Sequence, residues 1–341
     1  MRDRRAAPRA HHLRMSRFSL PLSAEFLAVL ERQGGAISAD QAYACGHSAD
    51  DIKRLRRAHV LTSVRRGVYA LTDDLARLDD RERHVVETRA ALLALDEPTT
   101  IGHESAAVWL GLEMLRPDLS TVHVVRPELR ASRTEAGVLH HLAGLPAEHV
   151  VDLADRRVTS PARTGVDVAR TTDLARGTAL LDSVLRAGTR REEVLAVLDH
   201  CRAWPGARGA SRAVTMADGR AANPGESWSR VLLASGGLPP DDLQRAVYDE
   251  DGLVGIVDFW YDDGLVGEFD GLTKYAVAPG AAGSAAASSV VREKLREDRL
   301  RSVDLEVVRW TWADLLSPER WLQRMRASLG RARSRRRPVV A

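Results

Sequence analysis

The chain has 341 residues, 44% hydrophobic and 28% charged, with seven tryptophans; that is enough apolar matter for two or three packed cores, and it excludes wholesale disorder. Its formal net charge is only +3 although the isoelectric point is about 9.1, so the distribution of charge matters more than its sum. No apolar run approaches the roughly 18 residues of a membrane span and the arginine-rich start lacks the apolar core of a signal peptide, so a cytoplasmic protein with no membrane partner is expected.

Residues 1–16, MRDRRAAPRAHHLRMS, are basic, contain proline and lack periodicity; they read as a disordered arm, with Met15 an alternative start. From Ser23 the pattern is helical, with an apolar stripe of Phe26, Leu27 and Leu30 that ends at Gln33-Gly34-Gly35. A short second helix runs from Ser38 to Ala44. Ser48, with Asp51 three residues on, opens a third helix to Ala58, whose Ile52 and Leu55 face inward and whose Lys53, Arg54 and Arg57 face outward. Leu61–Val64 and Val68–Leu71 then flank Arg65-Arg66-Gly67, a tight hairpin tipped by two arginines.

Three short helices followed by a basic hairpin predict a winged helix-turn-helix over residues 17–76, with the third helix in the major groove and the hairpin on the backbone. Its DNA-binding candidates are Lys53, Arg54, Arg57, Arg65 and Arg66, mostly as phosphate contacts. The runs Gly35-Ala36-Ile37-Ser38, Ala39-Asp40-Gln41-Ala42 and Arg65-Arg66-Gly67-Val68-Tyr69 resemble the amino-terminal domain of the AbiEi-type antitoxins of type IV toxin-antitoxin systems. The resemblance continues in Gly102-His103-Glu104-Ser105-Ala106-Ala107. It implies a DNA-binding repressor origin for the front half, and with it a cognate toxin or another defence-system partner.

A helix over 81–97 ended by Pro98, a second over 103–110, and strands near 121–126, 138–142 and 149–153 predict a mixed α/β middle domain over residues 77–170. His103-Glu104 reads as helix-start packing, because no nucleophile or third partner accompanies the pair. His140-His141 reads as strand surface, and the eleven histidines show no HExxH or other metal spacing. Leu180, Leu181, Val184, Leu185, Val194, Leu195 and Leu198 mark a helical connector over 171–222. Cys45 and Cys201 stand far apart, which argues against a zinc cluster and fits a reducing compartment.

The last domain, residues 223–330, contains two strand-like runs, Val254–Tyr261 and Leu265–Asp270, around Asp262-Asp263-Gly264, the residues of a three-residue hairpin loop. If Tyr261 pairs with Leu265, Asp258 lies opposite Glu268, and Asp270 shares their face. Like charges so placed oppose the pairing, which favours a divalent metal between them. Lys274 follows, one of three lysines (Lys53, Lys274, Lys294) against 47 arginines.

This stretch resembles the PD-(D/E)XK core of very-short-patch-repair-like endonuclease domains: Asp258 on the first strand, Glu268 on the second, and Glu226 on a preceding helix. Asp270 departs from the pattern, standing where lysine is usual, with Lys274 displaced. The resemblance implies a catalytic set of Glu226, Asp258, Glu268, Asp270 and Lys274, of which Asp258, Glu268 and Asp270 ligate Mg2+ (or Mn2+) for phosphodiester hydrolysis. Residues 276–289 read as a low-complexity loop and 331–341 as a basic tail.

The expected fold class is thus α+β (α/β in the C-terminal domain): a winged helix-turn-helix, a mixed middle domain with a helical connector, and a restriction-endonuclease-like domain. The expected function is metal-dependent DNA cleavage, with a non-catalytic transcriptional repressor or antitoxin as the alternative. No nucleotide loop or cofactor motif supports a small-molecule enzyme.

Overall fold

The computed structural model describes residues 22–95, 99–153, 155–271, 295–296 and 298–336; the arm at 1–16, the loop at 276–289 and Lys274 lie outside them. The protein is mixed α+β, with three sheets among the described residues. It divides into two compact units at Asp96/Glu97.

In the first unit, α1 (Ala24–Arg32) is capped by the Ser23 hydroxyl, which accepts from the Phe26 N–H. Capping boxes start α2 (Ala39–Ala44) with Ser38 and Gln41, and α3 (Ala49–Arg57) with Ser48 and Asp51. A three-stranded sheet in the order β1-β3-β2 joins β1 (Ile37–Ser38), β2 (Leu61–Arg65) and β3 (Val68–Leu71), all antiparallel. Phe26, Leu30, Ile37, Ile52, Leu55 and Leu61 form the core between helices and sheet.

After the short α4 (Thr72–Leu75), α5 (Asp80–Ala94) lays Val86 and Ala90 against Ala36, Val68 and Ala70. That helix, expected to open a middle domain from residue 77, is therefore part of the first unit. Its apolar face has its partner in the small sheet, which one-dimensional periodicity does not identify.

The second unit begins with a six-stranded mixed sheet in the order β6-β7-β5-β4-β9-β8. Its strands are β4 (Thr100–Ile101), β5 (Val122–Val125), β6 (Arg133–Glu135), β7 (Val138–His141), β8 (Val150–Leu153) and β9 (Arg156–Thr159). The helices α6 (His103–Trp109), α7 (Pro161–Thr171), α8 (Leu174–Arg186), α9 (Arg191–His200) and α10 (Ala207–Met216) share one core: Ala107, Val166, Leu180, Leu181, Val194, Cys201 and Ala213. Residues 171–222 are therefore half of a packed layer rather than a connector. A Cβ on Gly177 of α8 would lie 2.9 Å from the Ala169 Cα of α7, so the two helices meet backbone to backbone.

The rest of this unit is α11 (Pro224–Ser235), β10 (Asp242–Asp249), β11 (Gly252–Tyr261), β12 (Leu265–Asp270), helical residues 295–296 and 298–302 (α12), β13 (Glu306–Thr311), α13 (Trp312–Leu316) and α14 (Pro318–Arg336). The sheet order is β10-β11-β12-β13, antiparallel except for β13, which runs parallel to β12. Leu233, Phe259, Leu265, Phe269, Trp310, Trp321 and Met325 fill the space between sheet and helices.

Tyr261 pairs with Leu265 in the expected register, and Gly264 takes the left-handed φ of +91° that the loop requires. α14 continues to Arg336, so the first six residues of the expected tail are helical. Arg331 and Arg335 pair with Glu306, and Arg333 with Asp263, which holds those arginines to the fold.

The two parts of the second unit are joined by a buried ion pair. Asp182 of α8 is fully buried, faces the guanidinium of Arg230 on α11, and accepts from the Asp218 N–H at 2.7 Å. Both cysteines are buried and free, and among the described residues no helix is long and apolar enough to cross a membrane.

Candidate functional site

The first unit carries a groove lined by Lys53, Arg56, Arg57, His59, Thr62 and Ser63, where the end of α3 meets β2. Ser48 and Asp51 fix the start of α3, and burial of Ile52 and Leu55 then sets its rotation, leaving residues 53, 56 and 57 exposed. The cations at its carboxyl end also complement the helix dipole. The Arg56 guanidinium lies 5.9 Å from the Tyr69 ring centroid, within cation–π reach.

Of the five cations expected to bind DNA, Lys53 and Arg57 line this groove. Arg54 is turned into a 2.7 Å ion pair with Asp51. Arg65 is half-buried near Glu87; burial lowers its pKa while the Glu87 charge opposes that. Arg66 is exposed at the hairpin tip. The sequence reading missed Arg56 and His59. Arg56 was legible from its place three residues beyond Lys53 on the same helical face, whereas His59 is aligned by a left-handed backbone (φ +55°) with no local signal.

In the second unit the structure gathers Glu226, Asp258 and Glu268. Asn223 caps α11, its Oδ1 accepting from the N–H groups of Gly225 and Glu226. This turns the Glu226 carboxylate back over the helix start, where it accepts from the Ala222 N–H at 2.7 Å and from Asn223 Nδ2 at 2.6 Å. Gly225 makes room for the Phe269 ring; a Cβ there would lie 2.1 Å from it.

Gln244 of β10 stands opposite Asp258 in the β10–β11 register, but the ladder skips this rung because Gln244 has φ +50°. Such backbone strain is held only where surroundings enforce it. Here its Nε2 donates both to Glu226 at 3.0 Å and to Asp258 at 3.2 Å. The β11–β12 ladder ends at Phe259–Gly267, one rung short of Asp258 and Glu268, and the Asp258 carboxylate accepts from the Phe269 N–H at 2.8 Å.

Glu268 is buried and faces Arg296 at 2.5 Å and Arg309 at 3.0 Å. Burial pushes its pKa up against the pull of both arginines. Burial, and then the neighbouring Asp258 charge, push Glu226 up to about 7, so it exchanges a proton near neutral pH. Asp270 continues along β12 and pairs with Thr311.

The expected metal ligands Asp258, Glu268 and Asp270 do not fit Mg2+ in this arrangement. Two guanidinium groups supply the positive charge that the opposed carboxylates require, and Gln244 and a backbone N–H occupy Asp258. Among the described residues the side chains that bring three ligand atoms within 4.8 Å of one another are instead His103, His123 and His141. His140, expected at a strand surface, is buried.

A protein-family model described as the AbiEi antitoxin C-terminal domain matches residues 99–215, about a third of the chain, covering the six-stranded sheet and α6 to α10. Among curated proteins the chain is similar to the uncharacterized proteins MT2308 and Rv2248 of Mycobacterium tuberculosis, strains CDC 1551 / Oshkosh and H37Rv. Each is 29% identical over 215 residues, which cover 62% of this chain and 75% of the relative.

Proposed function

We propose that this protein is a DNA-binding regulator of the AbiEi antitoxin kind, in which the first unit is a winged helix-turn-helix that grips duplex DNA through Lys53, Arg56 and Arg57. The observation that carries this reading is the cationic groove at the end of α3, together with the antitoxin-domain match over residues 99–215. The β2–β3 hairpin is the wing and brings Arg66 to the backbone. A cognate toxin is the protein partner that the match suggests. In the carboxyl-terminal part, a nuclease-like hairpin has Glu268 paired with Arg296 and Arg309 and Asp258 held by Gln244 and the Phe269 N–H, and so serves as a binding scaffold without turnover.

Fluorescence anisotropy with DNA from upstream of its own coding sequence tests this. Wild type should show log K falling with log salt, and the Lys53→Ala/Arg56→Ala/Arg57→Ala variant should lose about 2.7 from that slope if three phosphate contacts go, at about 0.9 each. An unchanged slope removes the groove from the account.

A second reading, Mg2+- or Mn2+-dependent hydrolysis of DNA, is favoured by the hydrogen-bonded link between Glu226 and Asp258, and requires Arg296 and Arg309 to release Glu268. Metal-dependent cutting of plasmid DNA, lost in Asp258→Ala, would establish it and displace the non-catalytic reading.

A further inference from the structure

His103, His123 and His141 are drawn together by the topology of the six-stranded sheet. β5 and β7 pair in parallel with His123 opposite Leu139, which puts His141 diagonally ahead on the same face. α6 begins directly after β4, its first residue His103 held in a left-handed conformation (φ +50°). Two bonds tie this corner to β5: the Gly102 N–H donates to the His123 carbonyl at 3.0 Å, and the His123 N–H to Ser105 Oγ at 2.8 Å.

The rings lie nearly parallel, His103 on His141 with centroids 3.6 Å apart. His123 Nδ1 and His141 Nε2 are 2.9 Å apart, a pair that holds a single proton between two lone-pair nitrogens when both rings are neutral. His103 Nδ1 is buried with no hydrogen-bond partner. A buried, unpartnered donor or acceptor costs roughly 1–3 kcal/mol, and a ligand would remove that cost.

We propose that His103, His123 and His141 form a binding site for a nitrogen-preferring divalent metal, Zn2+ above all, with a fourth position open. Three imidazoles suit zinc and not Mg2+, which demands oxygen. Zn–N bonds of about 2.0–2.1 Å set tetrahedral ligands about 3.3 Å apart, so ring rotations within the present 4.8 Å bring all three nitrogens onto one ion. Glu104 supplies the outer support: its Oε2 lies 3.8 Å from His123 Nε2, the ring nitrogen remote from His141. A carboxylate there favours the tautomer that leaves Nδ1 free to ligate. Asp118, Asp167, Arg163 and Arg170 are the other charges felt by the cluster, and burial keeps its imidazoles neutral, the form that binds metal.

The test uses the full chain after chelator treatment, titrated with Zn2+ against a chromophoric chelator and separately with Co2+. The expected result is one equivalent bound, the visible bands of tetrahedral Co2+, and no competition from Mg2+. His103→Ala and His141→Ala should abolish the bands, Glu104→Gln should weaken binding about 10- to 100-fold, and the exposed His200→Ala should leave zinc binding unchanged. X-ray absorption of the zinc-loaded wild type needs no variant to fold, and should show a shell of three imidazole nitrogens. Failure of the wild type to bind stoichiometrically, an all-oxygen shell, or undiminished binding by a folded His103→Ala/His141→Ala protein overturns the assignment.

Discussion

Replacing Glu226 with glutamine should flatten the dependence of stability on pH. Glu226 is 5% exposed, so solvent screens it little. Its carboxyl is raised from an ordinary 4.5 to about 7 by burial and by Asp258. Between those values the folded chain holds a proton that the unfolded chain has released, so stability is fully present below pH 4.5 and is lost as pH rises through 7. At about 1.36 kcal/mol per tenfold change in proton affinity, the loss is about 3 kcal/mol. The buried histidines titrate with the opposite sign, so the quantity to follow is wild type minus Glu226→Gln, in which their contributions cancel. Urea unfolding at pH 5 and pH 7.5 by tryptophan fluorescence reads it well, since Trp228, Trp260, Trp310, Trp312 and Trp321 all lie in the carboxyl-terminal part. Wild type should lose about 2.4 kcal/mol more than the variant across that interval, since part of the full loss has already occurred at pH 5. Parallel curves would refute the raised proton affinity of Glu226 in the folded chain.

Asp182→Ala should cost about 3–5 kcal/mol, because it leaves Arg230 buried without its counter-charge; a smaller loss in urea midpoint than in an exposed-pair control such as Asp199→Ala would count against it. Gly225→Ala should destabilise by about 1–3 kcal/mol despite alanine's better helix propensity, since the new methyl meets the Phe269 ring; a raised melting temperature would contradict this. Arg65→Ala should lower the stability of the first unit while leaving the salt slope of DNA binding near wild type, because its guanidinium is half-buried within the field of Glu87. Binding and melting measured on one preparation separate those effects.

Local chemistry made the hairpin readable: Asp262-Asp263-Gly264 fixes the loop, and the loop fixes which residues of β11 and β12 face each other. It did not reveal how the acidic charges are compensated. Arg309 reaches Glu268 only because β13 joins β12 in parallel some forty positions later, and Gln244 enters the site only through a left-handed backbone that its residue type does not announce. The same limit hid the histidines, which lie 18 to 20 residues apart and meet only once β7 pairs with β5. In the first unit every signal was local, in caps, glycines and a two-arginine turn, so the elements were legible. What the sequence could not supply there was Glu87 of α5, whose charge acts on the half-buried Arg65.

The rarity of lysine gives the groove an unusual chemical address. Lys53 is the one lysine among the described residues, and Lys274 and Lys294 complete the set in the whole chain. An amine-selective acylating reagent therefore finds three side-chain targets in a protein of 47 arginines, and one of them sits on the surface assigned to phosphate. Acylation there removes a charge without touching the arginines that hold the second unit together. Mass spectrometry of that one modification, with and without duplex, would footprint the groove in the unaltered protein.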